Sequence, residues 1–108
     1  MFNKFLKFIA VILVGLILSS SFVQASALMG KKYYIQLLKK PCGFNGDVMG
    51  SKYTKKAWRE FYKSGTLNEA IKKVCPKAPE ITSQSKEKHI YHFLESFASD
   101  SGNIPSCN

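Results

Sequence analysis

Residues 86–99, KEKHIYHFLESFAS, carry the pattern that decides the fold class of this chain. Apolar side chains recur along the segment at helical spacing, which predicts an amphipathic helix with one buried face. Ser85 can begin the helix, and Asp100-Ser101-Gly102 ends it. The predicted buried face consists of Ile90, Phe93, Leu94, Phe97 and Ala98.

Three shorter segments upstream repeat the helical pattern. Residues 30–40 place paired tyrosines and paired leucines four positions apart, and Pro41 is expected to end this helix. Lys55–Lys63 follows Thr54, a residue type that caps helices. The sequence T-L-N-E at 66–69 matches a capping box and predicts the start of a further helix.

The segments between these helices carry turn and linker signals. Residues 42–52 contain three glycines and predict an irregular loop, and residues 77–84 predict a linker. Period-two alternation, which would indicate a strand, is missing from the sequence. We therefore predict an all-α fold of four short helices.

The N-terminal 27 residues have the organisation of a signal peptide. Lys4 and Lys7 precede an apolar run over 8–18, and Ala25-Ser26-Ala27 supplies the small residues of a cleavage motif. The apolar run is shorter than the roughly 20 residues that a membrane span takes. We predict export to the periplasm, cleavage after Ala25 or Ala27, and no transmembrane segment after cleavage. The domain boundaries are then 1–27 for the signal peptide and 28–108 for one small helical domain with an extended C-terminal tail.

The three cysteines, Cys42, Cys75 and Cys107, allow three single-bridge pairings in an oxidising compartment. Loop entropy does not choose between them, because the alternatives differ little in loop length. Position favours Cys42–Cys75, since each of these residues follows a predicted helix and adjoins a proline. Cys107 would then be a free or capped thiol, an alternative partner in the bridge, or a residue that forms a mixed disulfide, a dimer bridge or a metal site.

His89 and His92 are the only histidines and lie three positions apart on the last predicted helix. Two imidazoles on one helical face can bind a metal, with Cys107 or a carboxylate completing the site. The same spacing also occurs on solvated helix faces without any ligand. The sequence contains no catalytic constellation, so we predict a protein that is not an enzyme.

The chain carries a net charge of +9 at pH 7, and its lysines recur in doublets across three helices. A basic surface of this kind favours acidic partners, which for an exported protein means anionic envelope components or an acidic redox protein. Nucleic acid is not an expected partner of an exported protein. The simplest alternative is a solvated basic surface without a partner. The doublets are Lys31-Lys32, Lys39-Lys40, Lys55-Lys56 and Lys72-Lys73.

The order of these elements resembles the class I cytochrome c family. Gly30 and Tyr34 on the first helix, a glycine-containing loop, two middle helices and an aromatic-rich last helix follow in the order of that fold. The chain also resembles a group of small exported bacterial proteins without an assigned activity. The motifs shared with that group are Cys42 to Gly46, Trp58, Cys75-Pro76 and Gly102 to Cys107. The resemblance implies a cytochrome c-like arrangement in which Gly30 and Tyr34 pack across the last helix.

The sequence departs from cytochrome c at the haem motif. C-x-x-C-H is missing, so the resemblance implies no covalently attached haem and no cofactor. Met29 or Met49 could still act as a soft ligand for a loosely held haem or for copper. We therefore predict an accessory or partner-binding domain that acts near periplasmic redox proteins. A haem- or metal-binding electron carrier and a module for anionic envelope components are the alternatives.

Overall fold

The structure is a computed structural model that describes residues 22–103. These residues form five helices and no strand, which confirms the all-α class. Residues 1–21, most of the predicted signal peptide, and residues 104–108, which include Cys107, lie outside the described part of the chain. The helices are α1 over 22–42, α2 over Gly46–Gly50, α3 over Lys55–Lys63, α4 over Leu67–Val74 and α5 over Gln84–Ser96.

Helix α1 is longer than the sequence predicts at both ends. It is α-helical over 22–34, π-helical over Ile35–Lys39 and α-helical again over Lys40–Cys42. Pro41 lies in the last turn of this continuous helix, shortly after the π-helical segment, and the backbone stays helical through Cys42. The helix ends instead at Gly43, whose positive φ of 78° suits glycine and whose N–H donates to a carbonyl of the preceding turn. The prediction that Pro41 ends the helix is wrong.

Helix α2 occupies part of the segment that was expected to be an irregular loop. Its two terminal glycines allow it to lie directly against α5. A Cβ atom at Gly46 would overlap the ring of Phe93, and one at Gly50 would lie 2.6 Å from the carbonyl oxygen of Leu94. Five residues are too few to show a helical period, so the loop prediction for 42–52 is wrong in its centre.

Helix α3 has the predicted bounds and the predicted cap, because the Thr54 hydroxyl accepts a hydrogen bond of 3.1 Å from the backbone N–H of Ala57. Helix α4 begins after Thr66 as expected, but the capping-box prediction is wrong. The Thr66 side chain makes no cap to α4. Its hydroxyl points back toward the end of α3, where it lies 3.4 Å from the Phe61 carbonyl oxygen.

Helix α5 packs against α2 and α3 and forms the centre of the fold. It begins earlier than predicted, after Ser83, whose hydroxyl accepts from the backbone N–H of Lys86. Its buried face is also wider than the predicted stripe. Tyr91 belongs to it, since its ring stacks on Tyr62 with centroids 4.5 Å apart. Neighbours on several sides explain why one narrow stripe does not describe this helix.

The crossing of α1 and α5 brings the two backbones into direct contact. A Cβ atom at Gly30 would overlap the backbone carbonyl oxygen of His89, so only glycine fits there without a shift of the helices. One turn further along, the rings of Tyr34 and Phe93 lie 5.9 Å apart. This close approach fixes the position of α1 on the last helix.

Trp58 on α3 is fully buried at the centre of the core. Its indole N–H donates a hydrogen bond of 2.8 Å to the carbonyl oxygen of Gly50 in α2. The ring of Tyr53 meets it edge-on at 4.9 Å. Removing such a side chain costs about 3–5 kcal/mol in well-packed cores. Trp58 therefore joins α2 and α3 both through packing and through a satisfied polar group.

A disulfide joins Cys42 to Cys75, which confirms the predicted pairing. The two Cα atoms are 5.5 Å apart, inside the range of ordinary bridges. The bridge links the C-terminal end of α1 to the residue that follows α4.

The segment between α4 and α5 is fixed by a single side chain. The Asn68 amide donates to the carbonyl oxygen of Ile81 at 3.1 Å and accepts from the Ile81 N–H at 2.8 Å. This double hydrogen bond holds Ile81 in the core, where it is 4% exposed. The predicted linker is therefore an ordered part of the domain.

Candidate functional site

The two histidines have different surroundings. His89 shares a hydrogen bond of 2.7 Å between its Nδ1 and the hydroxyl of Ser26. Its ring also lies 5.9 Å from that of Tyr33 on α1. His92 lies beside the ring of Tyr91, with centroids 4.9 Å apart. His89 thus takes part in the contact between α1 and α5.

The pKa of His92 is lowered, chiefly because burial disfavours the charged ring. The positive charge of Lys88 and the neighbouring His89 lower it further, while Glu95 opposes them. A neutral imidazole is the form that binds metals.

The remaining predicted ligands do not assemble around these histidines in the described part of the chain. Met49 is fully buried in the core and has no contact with solvent. Cys107 lies outside the described residues. Within 22–103 no group of three or more His, Cys, Asp or Glu side chains could hold a metal ion. Metal or haem binding by His89, His92, Met49 and Cys107 stays a prediction.

A groove of about 780 Å³ lies between α1, α2 and α5. We call it the lysine-rimmed groove. Its apolar surface comes from Leu28 and Ile35 on one side and from Phe93 and Phe97 on the other. The remaining lining residues are Gln24, Ala27, Lys31, Tyr34, Lys39, Asn45, Gly46, Asp47 and Ser96.

Two lysines border this groove along α1. Lys31 and Lys39 lie four residues to either side of Ile35, and all three side chains are exposed. A residue and its neighbours four positions away share one face of a helix. An apolar side chain flanked by two cations is therefore presented to whatever enters the groove.

Tyr34 and Asp47 add polar groups to the lining of the groove. The Tyr34 hydroxyl donates a hydrogen bond of 2.9 Å to the carbonyl oxygen of Phe44. Burial, reinforced by the nearby Asp47 carboxylate, raises the pKa of Tyr34 to about 12. Asp47 accepts from the backbone N–H of Val48 at 2.9 Å. Tyr34 stays neutral at physiological pH, and the groove combines one buried carboxylate with two lysines at its border.

A second depression of about 520 Å³ continues the groove toward the end of α1. It shares Ile35, Lys39 and Asn45 with the first and adds Lys40 and Phe44. The two depressions together form an elongated surface along α1. Such a shape fits an extended segment of another molecule better than a compact small ligand.

The sequence does not predict this groove, because residues 42–52, which supply part of its lining, were expected to form an irregular loop. One local signal was present in the sequence. Ile35 lies between Lys31 and Lys39 on one face of the helix, four positions from each. A single exposed apolar residue is common on protein surfaces, so this signal alone does not predict a groove.

Helices long and apolar enough to cross a membrane are missing from residues 22–103.

No protein-family model, no curated protein and no solved structure matches this chain. The likeness to class I cytochrome c and to the small exported bacterial proteins stays a prediction. Function has to be argued from the described residues themselves.

Proposed function

We propose that this protein is an exported, periplasmic accessory domain without enzymatic activity that binds a partner protein through the lysine-rimmed groove. The groove itself carries the proposal, because it joins an apolar floor to a basic border in one elongated surface. The Cys42–Cys75 bridge supports the location, since disulfides persist in oxidising compartments outside the cytoplasm.

The chemistry of the groove indicates what the partner presents. Ile35, with 48% of its side chain exposed, offers an apolar contact, and Lys31 and Lys39 offer cations on both sides of it. The complementary surface is a chain segment with an apolar side chain between carboxylates. The signal peptide carries Lys4 and Lys7 and no acidic residue, so its removal lowers the net charge from +9 to +7, which would still attract an acidic partner over a longer range. An acidic periplasmic redox protein meets this description.

The packing of α1 on α5 supports a cytochrome c-like arrangement. Gly30 and Tyr34 meet the last helix at His89 and Phe93, which is the contact that the resemblance to cytochrome c implies. A domain of that shape that lacks C-x-x-C-H would keep a surface for redox proteins without carrying covalent haem. We therefore propose a partner in the respiratory or thiol chemistry of the envelope.

Site-specific photo-cross-linking in cells that export the full chain tests this proposal. A photoreactive amino acid at position 35 should cross-link one envelope protein, and the same group at Lys72 on α4 should not. The charge-reversal variant Lys31→Glu/Lys39→Glu should abolish the cross-link. Mass mapping should place the link next to an Asp or Glu of the partner.

Two results would overturn the assignment. Equal cross-linking from positions 35 and 72 would show that the basic surface binds other proteins non-specifically. A cross-link that persists in the charge-reversal variant would show that the lysines do not select the partner. The matched control is Lys72→Glu/Lys73→Glu, which makes the same charge change on another helix and should leave the cross-link intact.

A surface of anionic lipid is the second candidate. Leu28, 71% exposed, and Ile35 lie beside lysines on α1, which is the composition of helices that lie on membrane surfaces. Vesicles containing anionic phospholipid should then bind the protein at low salt and release it at high salt. Vesicles of neutral lipid are the control, and binding that does not depend on lipid charge would remove this candidate.

Haem or metal binding is the third candidate function. One ring nitrogen of His89 is hydrogen-bonded to the Ser26 hydroxyl, and the Met49 thioether is enclosed in the core. These placements favour the groove over a ligand site. An absorbance spectrum and a metal analysis of protein purified from its native compartment test the alternative, and a Soret band or a stoichiometric metal would establish it.

A further inference from the structure

The boundary between unpacked and packed chain at the start of α1 falls between Ala25 and Ser26. Residues 22–25 are exposed, and Phe22 and Val23 present 71% and 55% of their surface to solvent. Ser26 is only 8% exposed. Large apolar side chains that contribute nothing to the core are an aggregation risk in a soluble domain. Ser26 is therefore the first residue in the described part of α1 that is packed into the domain.

Ser26 is also held by a specific contact. Its hydroxyl lies 2.7 Å from Nδ1 of His89 on α5, which orients that ring beside Tyr33. The next turn of α1 brings Gly30 against the His89 backbone. Loss of Ser26 would remove the first contact of the α1–α5 crossing and leave a half-buried imidazole nitrogen without its protein partner.

The sequence itself permits two processing sites. A bond after Ala25 has Val23 at the third position before the cut, and a bond after Ala27 has Ala25 there. Both sets consist of small residues or valine, so the cleavage pattern does not decide between them. The packing distinguishes the two products, because only the first cut leaves Ser26 in the domain.

We propose that an envelope signal peptidase hydrolyses the Ala25–Ser26 bond, so that the exported domain begins with Ser26. This inference rests on the export that the proposed function requires. One water molecule is consumed: its oxygen becomes part of the Ala25 carboxylate, and the nitrogen of Ser26 becomes the new α-amino group. The cut also removes Gln24 from the lysine-rimmed groove and keeps Ala27 and Leu28 in its wall.

N-terminal sequencing and intact mass of the protein purified from its native compartment test the inference. The expected product begins at Ser26. A product that begins at Leu28 would overturn the processing site and leave export intact. A full-length protein that is retained inside the cell would overturn both the processing site and the proposed export, so the two failures are distinguishable.

Two single substitutions in the full chain sharpen the test. Ala27→Leu places a large residue directly before the alternative bond only, so processing should continue and yield a product of the mass expected for a start at Ser26. Val23→Asp alters the third position before the proposed bond only, so at least a tenfold loss of processed product is expected. Normal processing of Val23→Asp together with blocked processing of Ala27→Leu would refute the proposal.

Discussion

Removal of the Cys42–Cys75 bridge is the perturbation whose magnitude follows most directly from the structure. The bridge closes a loop with a sequence separation of 33 residues. The chain-entropy relation for such a loop gives about 3.5–4 kcal/mol of stabilisation, because the unfolded chain loses freedom when its ends are joined. Small domains are stable by only about 5–15 kcal/mol, so this is a large share of the total.

Reduction of the wild-type protein isolates that effect, since it opens the bridge without changing the core otherwise. Cys75 is 4% exposed, and a serine there would add a hydroxyl to an apolar site. With a urea m-value of about 1 kcal/mol/M, the midpoint of unfolding should fall by roughly 3–4 M. The thermal midpoint should fall by roughly 20 °C.

Equilibrium unfolding in urea, followed by the fluorescence of Trp58, measures the loss. Cys107→Ser is the matched control, because it removes a thiol and leaves the bridge in place, and its midpoint should equal that of the wild type. A shift of the midpoint by less than about 1 M on reduction, well below the loop-entropy value, would contradict this stabilisation by the bridge. A Cys107→Ser variant as unstable as the reduced wild type would show that Cys107 takes part in the bridge.

Three further predictions concern contacts between elements. Gly30→Ala should lower the free energy of unfolding by about 1–3 kcal/mol despite the better helix propensity of alanine, because the added methyl meets the backbone of His89; an unchanged urea midpoint would contradict the close approach. Asn68→Ala should cost about 1–3 kcal/mol, since it leaves the backbone groups of Ile81 unpaired; calorimetry that finds no loss would contradict the clamp. Burial raises the pKa of Tyr34 to about 12, so its neutral hydroxyl stabilises the folded state fully below pH 10, and this contribution is lost as the pH rises from about 10 to 12. Between pH 8 and pH 11, the free energy of unfolding should therefore fall less in Tyr34→Phe than in the wild type. Equal falls in the two proteins would refute the assignment.

The sequence predicted the helices whose apolar stripes repeat over two or more turns. Lys55–Lys63 has both its bounds and its Thr54 cap as expected, because the cap depends only on residues three positions apart. The start of α4 was predicted for the same kind of reason, although the predicted capping box does not form. The hydroxyl of Thr66 has a competing acceptor at the end of α3, and the sequence does not reveal which of two local partners a hydroxyl takes.

Features that depend on the approach of distant residues were not predictable. The glycines of α2 look like loop residues in the sequence. Only the approach of α5, with Phe93 at Gly46 and Leu94 at Gly50, shows why side chains are excluded there. The contact of Asn68 with Ile81 joins residues on opposite sides of the Cys75 corner, and no local pattern signals it. The groove could not be predicted for the same reason, since its walls come from three helices.

Local spacing predicts the all-α class and the helical periods, and the corner positions of Cys42 and Cys75 favour their pairing, which the disulfide confirms. The packing of the helices places Gly30 and Gly50 where a Cβ atom would meet the backbone of α5. It also brings Ser26 into the packed domain and puts Lys31, Ile35 and Lys39 at the border of a groove. The physical reason is that burial and close approach are properties of pairs of elements. A periodic pattern states which face of a helix is apolar, whereas the neighbouring helices determine how much of that face is covered.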